Sequence, residues 1–289
     1  MKIGVSTCCF KEKYFRNFCI AAVKLGVDVL ELSANVTPME LTKAECVIEE
    51  FQGRLEFEVH NYFPSPLKPF VLNLAHPSTL DISMSHCRKA LEFCSRNGIK
   101  RYSIHAGFAI NPDVKDIGNR QDHLKKINFF ESEKILMDAL CQLSYYANEL
   151  GVKLLIENNV VSRVNAPNGK NSVYHFSGED LTDGILNLFL NNNLGILLDF
   201  GHLKVSAQTL KFDADKCFDN WKPFIKAVHI NENDGLSDLN WPVDLDSWFW
   251  SKFSSLDLSY IALEVYGLSF EKLRQQVELV RKCVKNYDA

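Results

Sequence analysis

Eight short apolar runs, separated by longer segments whose apolar residues recur every three or four positions, constrain this chain to one architecture. The runs are KIGVST (2–7), DVLELS (28–33), LEFEVH (55–60), RYSIHAG (101–107), KLLIENN (153–159), GILLDFG (195–201), KAVHINE (226–232) and IALEVYG (261–267). Each is brief and rich in branched or aromatic side chains, which suits a strand covered on both faces. The segments 14–25, 40–51, 79–97, 131–150, 179–191, 207–220 and 270–284 have the period of amphipathic helices. In one of them Ala90, Leu91, Phe93 and Cys94 cover one side while Arg88, Glu92 and Arg96 cover the other. Gly26, Gly98 and Gly151 stand just before the next strand, where a helix ends best on a residue that accepts a left-handed backbone. Strand alternating with helix calls for a parallel sheet, and eight such units in 289 residues match a (β/α)8 TIM barrel. With no Pro/Gly/Ser linker and no low-complexity tract, the expectation is a single domain over 1–289.

Composition narrows the setting. A hydrophobic share of 46% with 24% charged residues is that of a globular chain, and no run approaches the roughly 18 apolar residues of a membrane span. The start, MKIGVSTCCFKEKYF, regains charge at Lys11 and so lacks the apolar core of an export signal; a cytoplasmic protein is expected. Nine scattered cysteines without a C-x-x-C indicate reduced thiols, mostly in the core, rather than a disulfide framework. A net charge of −4 offers no general attraction for nucleic acid or anionic lipid.

The polar residues fall in one place. The third to eighth runs end on or near His60, His105, Glu157, Asp199, His229 and Glu264. In a parallel barrel the C-terminal strand ends share one face, where active sites are built, so residues far apart in sequence would meet there. One buried histidine is more often bonded to backbone than to metal, and one strand-end aspartate more often caps the next helix. Six in register are another matter. Three carboxylates near one axis repel unless a cation stands among them, and histidine with carboxylate is the ligand set of Mn2+, Zn2+, Co2+, Fe2+ or Mg2+. One or two divalent ions per chain are therefore expected. Glu56 and Glu58 share the parity of His60, which predicts either that they are solvated at the barrel bottom or that the strand is shorter than drawn.

The order VHNYF, LNLAHP (72–77), IHAG, LIENN, LLDFGH, VHIN and LEV resembles the xylose-isomerase-like TIM-barrel superfamily. That group includes sugar-phosphate isomerases and epimerases together with endonuclease IV, the AP endonuclease family 2. The resemblance implies a metal site at Glu157, Asp199, His229 and Glu264. It also matches His60 and His105 to positions that complete a second site, with Glu157 bridging, in the endonuclease branch. His202 matches a third-zinc ligand in that branch and a residue near substrate oxygens in the epimerase branch. The endonuclease branch has Asp-x-His after the seventh strand; here Asp238 is followed by Asn240, a poor zinc ligand, so a three-zinc centre is not expected.

Rim charge separates the branches. A duplex-binding enzyme gathers Lys and Arg against phosphates. Here the loop after the seventh run carries Glu232, Asp234, Asp238, Asp244 and Asp246, with no base between 227 and 251. A small sugar or sugar phosphate is the expected partner, with nucleic acid disfavoured and no membrane contact. The leading expectation is an isomerase or epimerase that abstracts a proton beside a carbonyl, Glu157 and Glu264 acting as the proton-transfer pair and a cation holding the enediolate. His202 is the candidate hydrogen-bond donor to a substrate oxygen. The long loops 106–124 and 158–178 are candidate lids, in which Arg163 and Lys170 would meet a phosphate, and Trp241 with Phe108 would wall the sugar. The alternatives are an abasic-site endonuclease or phosphodiesterase on a two-metal subset, and a barrel that binds metal without turnover.

Overall fold

A computed structural model describes residues 1–178, 183–191 and 194–287. Eight strands alternate with helices: β1 (Lys2–Ser6), α1 (Phe15–Leu25), β2 (Val29–Leu32), α2 (Leu41–Phe51), β3 (Glu56–His60), α3 (Pro77–Arg96), β4 (Arg101–His105), α4 (Phe129–Glu149) and β5 (Lys153–Glu157). Then follow α5 (Asp183–Asn191), β6 (Leu194–Asp199), α6 (Phe200–Leu210), α7 (Ala214–Trp221), β7 (Ile225–Ile230), β8 (Tyr260–Leu263) and α8 (Phe270–Tyr287). The strands form a closed parallel barrel in chain order, β8 returning to β1. This is the (β/α)8 architecture that the alternating periods predict.

Burial follows from that closure. Every residue of β2, β6 and β8 is buried, because one face meets the helices and the other the barrel interior. Val29, Leu155, Leu197, Ala227, Tyr260 and Ala262 fill the interior, while a larger cluster that includes Phe15, Leu91, Ile156, Trp221 and Val280 joins strands to helices. Among the described residues no helix is long and apolar enough to cross a membrane.

Several boundaries differ from those read along the sequence. The helix expected over 207–220 is two helices, preceded by a strand that ends at Asp199 rather than 201. Asp199 starts α6 at once by accepting the His202 amide on its side chain, and Lys211 ends it in a left-handed conformation (φ 66°). Asp213 then restarts the chain as α7, its side chain accepting from the Asp215 and Lys216 amides. The helix expected over 179–191 is seen from Asp183 onward; 179–182 lie outside the described residues. The paired acids of β3 divide: Glu56 is exposed beside Lys2, whereas Glu58 is buried inside the barrel against Arg101.

The long loops after β4 and β5 pack on each other rather than lying open. Phe108 bridges Tyr174 and Ile110 bridges Lys126, around a small cluster with Val71, Val161 and Ala166. Asn73 joins this unit to the barrel by donating to the Phe108 and Ile110 carbonyls and accepting from the Ala75 and Phe108 amides.

Candidate metal centre

Parallel register brings the strand-end residues to one face. His105 lies beside Glu157 and Asp199 beside His229 in neighbouring strands, and Ser103 lies beside His60. Glu264 follows β8 directly, its amide still bonded to the Ile230 carbonyl. His60, Glu157, Asp199, His229 and Glu264 are buried; the His105 side chain keeps 35% of its surface and marks the open side.

Two donor groups result. Glu157, Asp199, His229 and Glu264 each present an atom such that all lie within 4.8 Å of one another, as do His60, His105 and Glu157. Ligands held about 2.1 Å from one ion sit roughly 3 to 4 Å apart, so both groups have the dimensions of a cation site. His229 Nδ1 is 2.9 Å from Glu264 Oε2, 3.2 Å from Glu157 Oε1 and 3.9 Å from Asp199 Oδ2. In the second group Glu157 Oε2 is buried and accepts no hydrogen bond, although His60 Nε2 and His105 Nδ1 stand 3.3 and 3.2 Å away. A buried carboxylate oxygen facing two imidazole nitrogens without a donated proton is what a bridging ligand requires. The residues therefore fit a divalent ion in either group.

Hydrogen-bond accounting assigns the rings. Ser103 Oγ donates to the Val59 carbonyl, so it accepts from His60 Nδ1–H at 3.0 Å and leaves the Nε2 lone pair toward the site. In the structure Asn61 Nδ2 donates to it at 2.7 Å, a bond that a cation held by His60 would displace. His202 Nδ1–H donates to the Asn158 carbonyl at 2.8 Å, which turns Nε2 toward Asp238 Oδ2 at 3.4 Å. His229 directs Nε2 at both oxygens of Glu31, each 2.9 Å away, and thereby its Nδ1 at the three acids.

Charge is finely divided. Burial, joined by the nearby His229, pushes His60 down to about 3, and burial likewise holds His105 well below the ordinary imidazole range, so both rings are neutral. Burial also opposes protonation of His229 and His202, but carboxylates outweigh it and raise both: Glu31, Glu264 and Glu157 for the first, Asp199 and Asp238 for the second. Burial raises Glu157 to about 7 against the pull of His229. Burial acts on Glu264 in the same sense, yet contact with His229 holds it below the usual carboxylate range.

The other predicted residues are distributed unevenly. Asp238 faces His202, and Asn240, where the endonuclease pattern has histidine, donates to Asp238 Oδ1 at 3.2 Å. Arg163 and Lys170 are exposed on the loop after β5; the Arg163 amide binds the Leu236 carbonyl, which ties that loop to the one after β7. Trp241 is 49% exposed on the latter loop, but Phe108 is only 9% exposed and belongs to the loop cluster, which leaves it little surface to offer a substrate. Four supports of these side chains were not predicted from the sequence. Glu31 holds His229; Asn158 accepts the Asp199 amide; Asn231 donates to Asp199 Oδ2; Tyr266 donates to Glu264 Oε1 at 3.3 Å. Only Glu31 left a signal, an acid at an inward-facing position of an otherwise apolar strand.

The barrel itself is shared with solved structures. Structures similar over nearly the whole chain include a D-tagatose 3-epimerase-like protein, at 17% identity, TM-score 0.70 and coverage of 100% of this chain and 98% of that one. D-psicose 3-epimerase from Clostridium cellulolyticum H10 follows at 11%, TM-score 0.63 and coverage of 99% and 95%. An AP endonuclease, family 2, from Brucella melitensis stands at 12%, TM-score 0.64 and coverage of 94% and 97%. A comparison with curated protein sequences finds no match. The family model described as xylose isomerase-like TIM barrel matches residues 19–250, and the chain belongs to that family.

Proposed function

We propose that the protein is a divalent-cation-dependent isomerase or epimerase of a small sugar or sugar phosphate. The observation that carries the reading is the convergence of Glu157 and Glu264, from opposite parts of the barrel, on one histidine nitrogen together with Asp199. A bound Mn2+, Zn2+ or related ion would polarise a substrate carbonyl. Glu157 or Glu264 would take the proton beside that carbonyl, and the other would return one from the opposite side. His202 would hydrogen-bond a substrate oxygen through Nε2, the nitrogen that Nδ1 bonding to the Asn158 carbonyl turns toward Asp238 and that a substrate oxygen would share with it. His105 and Asp238, on the open side, would meet the substrate first, with Trp241 beside them on the rim. The epimerases among the structural neighbours support the same class.

Proton exchange tests it directly. Cation-loaded protein is incubated in D2O with free ketohexoses, ketopentoses and their phosphates, and carbon-bound deuterium is followed by NMR. We expect one position of one ketose class to exchange and an epimer or isomer to appear. E157Q and E264Q should each slow this by about 10²–10⁴-fold while keeping the circular dichroism of the parent. Absence of exchange with every ketose, or full activity in E264Q, would sink the reading.

A second reading has one observation in its favour, the His60, His105 and Glu157 group beside the first. Two ions there would clamp the attacking and leaving oxygens of a phosphodiester. Incision of an abasic duplex by Zn2+-loaded protein would establish it. The acidic loop after β7 and Asn240 weigh against it.

A further inference from the structure

We infer that Glu31, a residue of β2 outside both donor groups, is the positioning residue that sets the cation affinity of the centre by fixing the tautomer and direction of His229. The inference rests on the proposed cation site. Both Glu31 oxygens lie 2.9 Å from His229 Nε2, and Tyr260 Oη donates to Oε2 from the other side at 2.9 Å. Glu31, His229 and Tyr260 are all buried, at 0, 0 and 1% exposure, so no water competes for these bonds. A carboxylate has no proton to donate here, so the Nε2–H belongs to His229; in the neutral ring that a cation requires, Nδ1 then carries the lone pair toward Glu157, Asp199 and Glu264, in place of the proton it shares with Glu157 and Glu264 in the structure. The reverse tautomer would put two acceptors together at Glu31 and a donor in the donor group.

The support extends below. Arg101 lies over the Tyr260 ring, 5.6 Å from its centroid, and pairs with the buried Glu58. A carboxylate behind a metal-binding imidazole raises its basicity and orients it, and removing such a partner typically costs about 10–100-fold in metal affinity.

Parent, E31Q and Y260F proteins are titrated with Co2+ against a competing chelator, and unfolding is recorded on each without metal. E31Q keeps an acceptor for His229 but loses the charge, and we expect its Co2+ affinity to fall about 10–100-fold while it still unfolds cooperatively. Y260F, which keeps the carboxylate, should stay within a few-fold of the parent. In the Zn2+-loaded parent, two-bond 15N–1H correlations should find His229 protonated at Nε2. Parent-like affinity in E31Q, or a His229 protonated at Nδ1, overturns the role of Glu31 alone, and the second readout holds even if E31Q fails to fold. A parent that binds no divalent ion overturns this role and the proposed function together.

Discussion

Asp199 answers two demands with its two oxygens. Oδ1 accepts the His202 amide at 2.7 Å and so caps α6, while Oδ2 faces the donor group and accepts from Asn231. Helix capping and cation binding are usually rival explanations of a strand-end aspartate; here one side chain serves the first and is placed for the second. They can be separated by substitution. Asn is as good an N-cap as Asp, and Asn231 can present its unpartnered Oδ1 by turning its amide over. We therefore expect D199N to cost less than about 1 kcal/mol in urea unfolding yet to lose most of the cation affinity, whereas D199A should lose both. His175 offers a residue-scale test of acid sensitivity away from the centre. Burial depresses it to about 4, with Nε2 against Ser132 Oγ and the ring stacked on Phe129. A depressed imidazole contributes stability that is present above the unfolded value near 6.5 and lost as pH falls toward 4. The full loss is about 3 kcal/mol by linkage. Urea titrations at pH 7, 5.5 and 4 should reveal a shallower decline in H175Q than in the parent.

Elements meet through small residues at the rim. Gly201 opens α6 against the strand carrying His229: a Cβ there would come within 1.8 Å of Asn231 Oδ1. Because Asn231 holds Asp199, G201A should weaken cation binding while the barrel still forms, a result that calorimetric titration would detect. Gly107 is more constrained, since its Cβ would meet Asn73 Oδ1 at 2.5 Å and the Ala75 backbone nitrogen at 2.8 Å. That segment anchors the loop cluster, so G107A should destabilise the fold by about 1–3 kcal/mol through overpacking, measured as a shift in urea midpoint. The loops after β4 and β5 are thus a packed unit with its own small core, and an opening motion that parts them would have to break the bridge between Phe108 and Tyr174.

At the scale of the whole molecule, closure of the barrel concentrates acid. Glu31, Glu58, Glu157, Asp199 and Glu264 are all buried, answered by His229, His202 and Arg101. An added divalent ion would relieve that imbalance and bind the folded chain alone. At a free ion concentration a hundredfold above Kd this adds about 2.7 kcal/mol, or roughly 4–5 °C in Tm for a chain of this size. Scanning calorimetry with Mn2+, Zn2+ or Co2+, and again after chelation, should show the rise and its reversal. A Tm indifferent to every ion would contradict the centre.

The architecture and most of the donor set were legible in the sequence because both are local signals. Period two against three to four separates strand from helix without knowing any partner, and a histidine or carboxylate closing an apolar run is conspicuous within seven residues. His60, His105, Glu157, Asp199, His229 and Glu264 needed only the parallel rule to be gathered on one face. The rest depended on distance in sequence that the fold removes. Glu31 lies 198 residues from His229, inside a run whose apolar neighbours make it look like an ordinary strand acid. The division of Glu56 from Glu58, the break between α6 and α7, and the loss of Phe108 to a loop cluster likewise turn on which groups arrive opposite them. Local pattern determined which residues face inward; only closure of the barrel decided which of those inward groups would touch, because hydrogen bonds and charges act over a few ångströms of space and not along the chain.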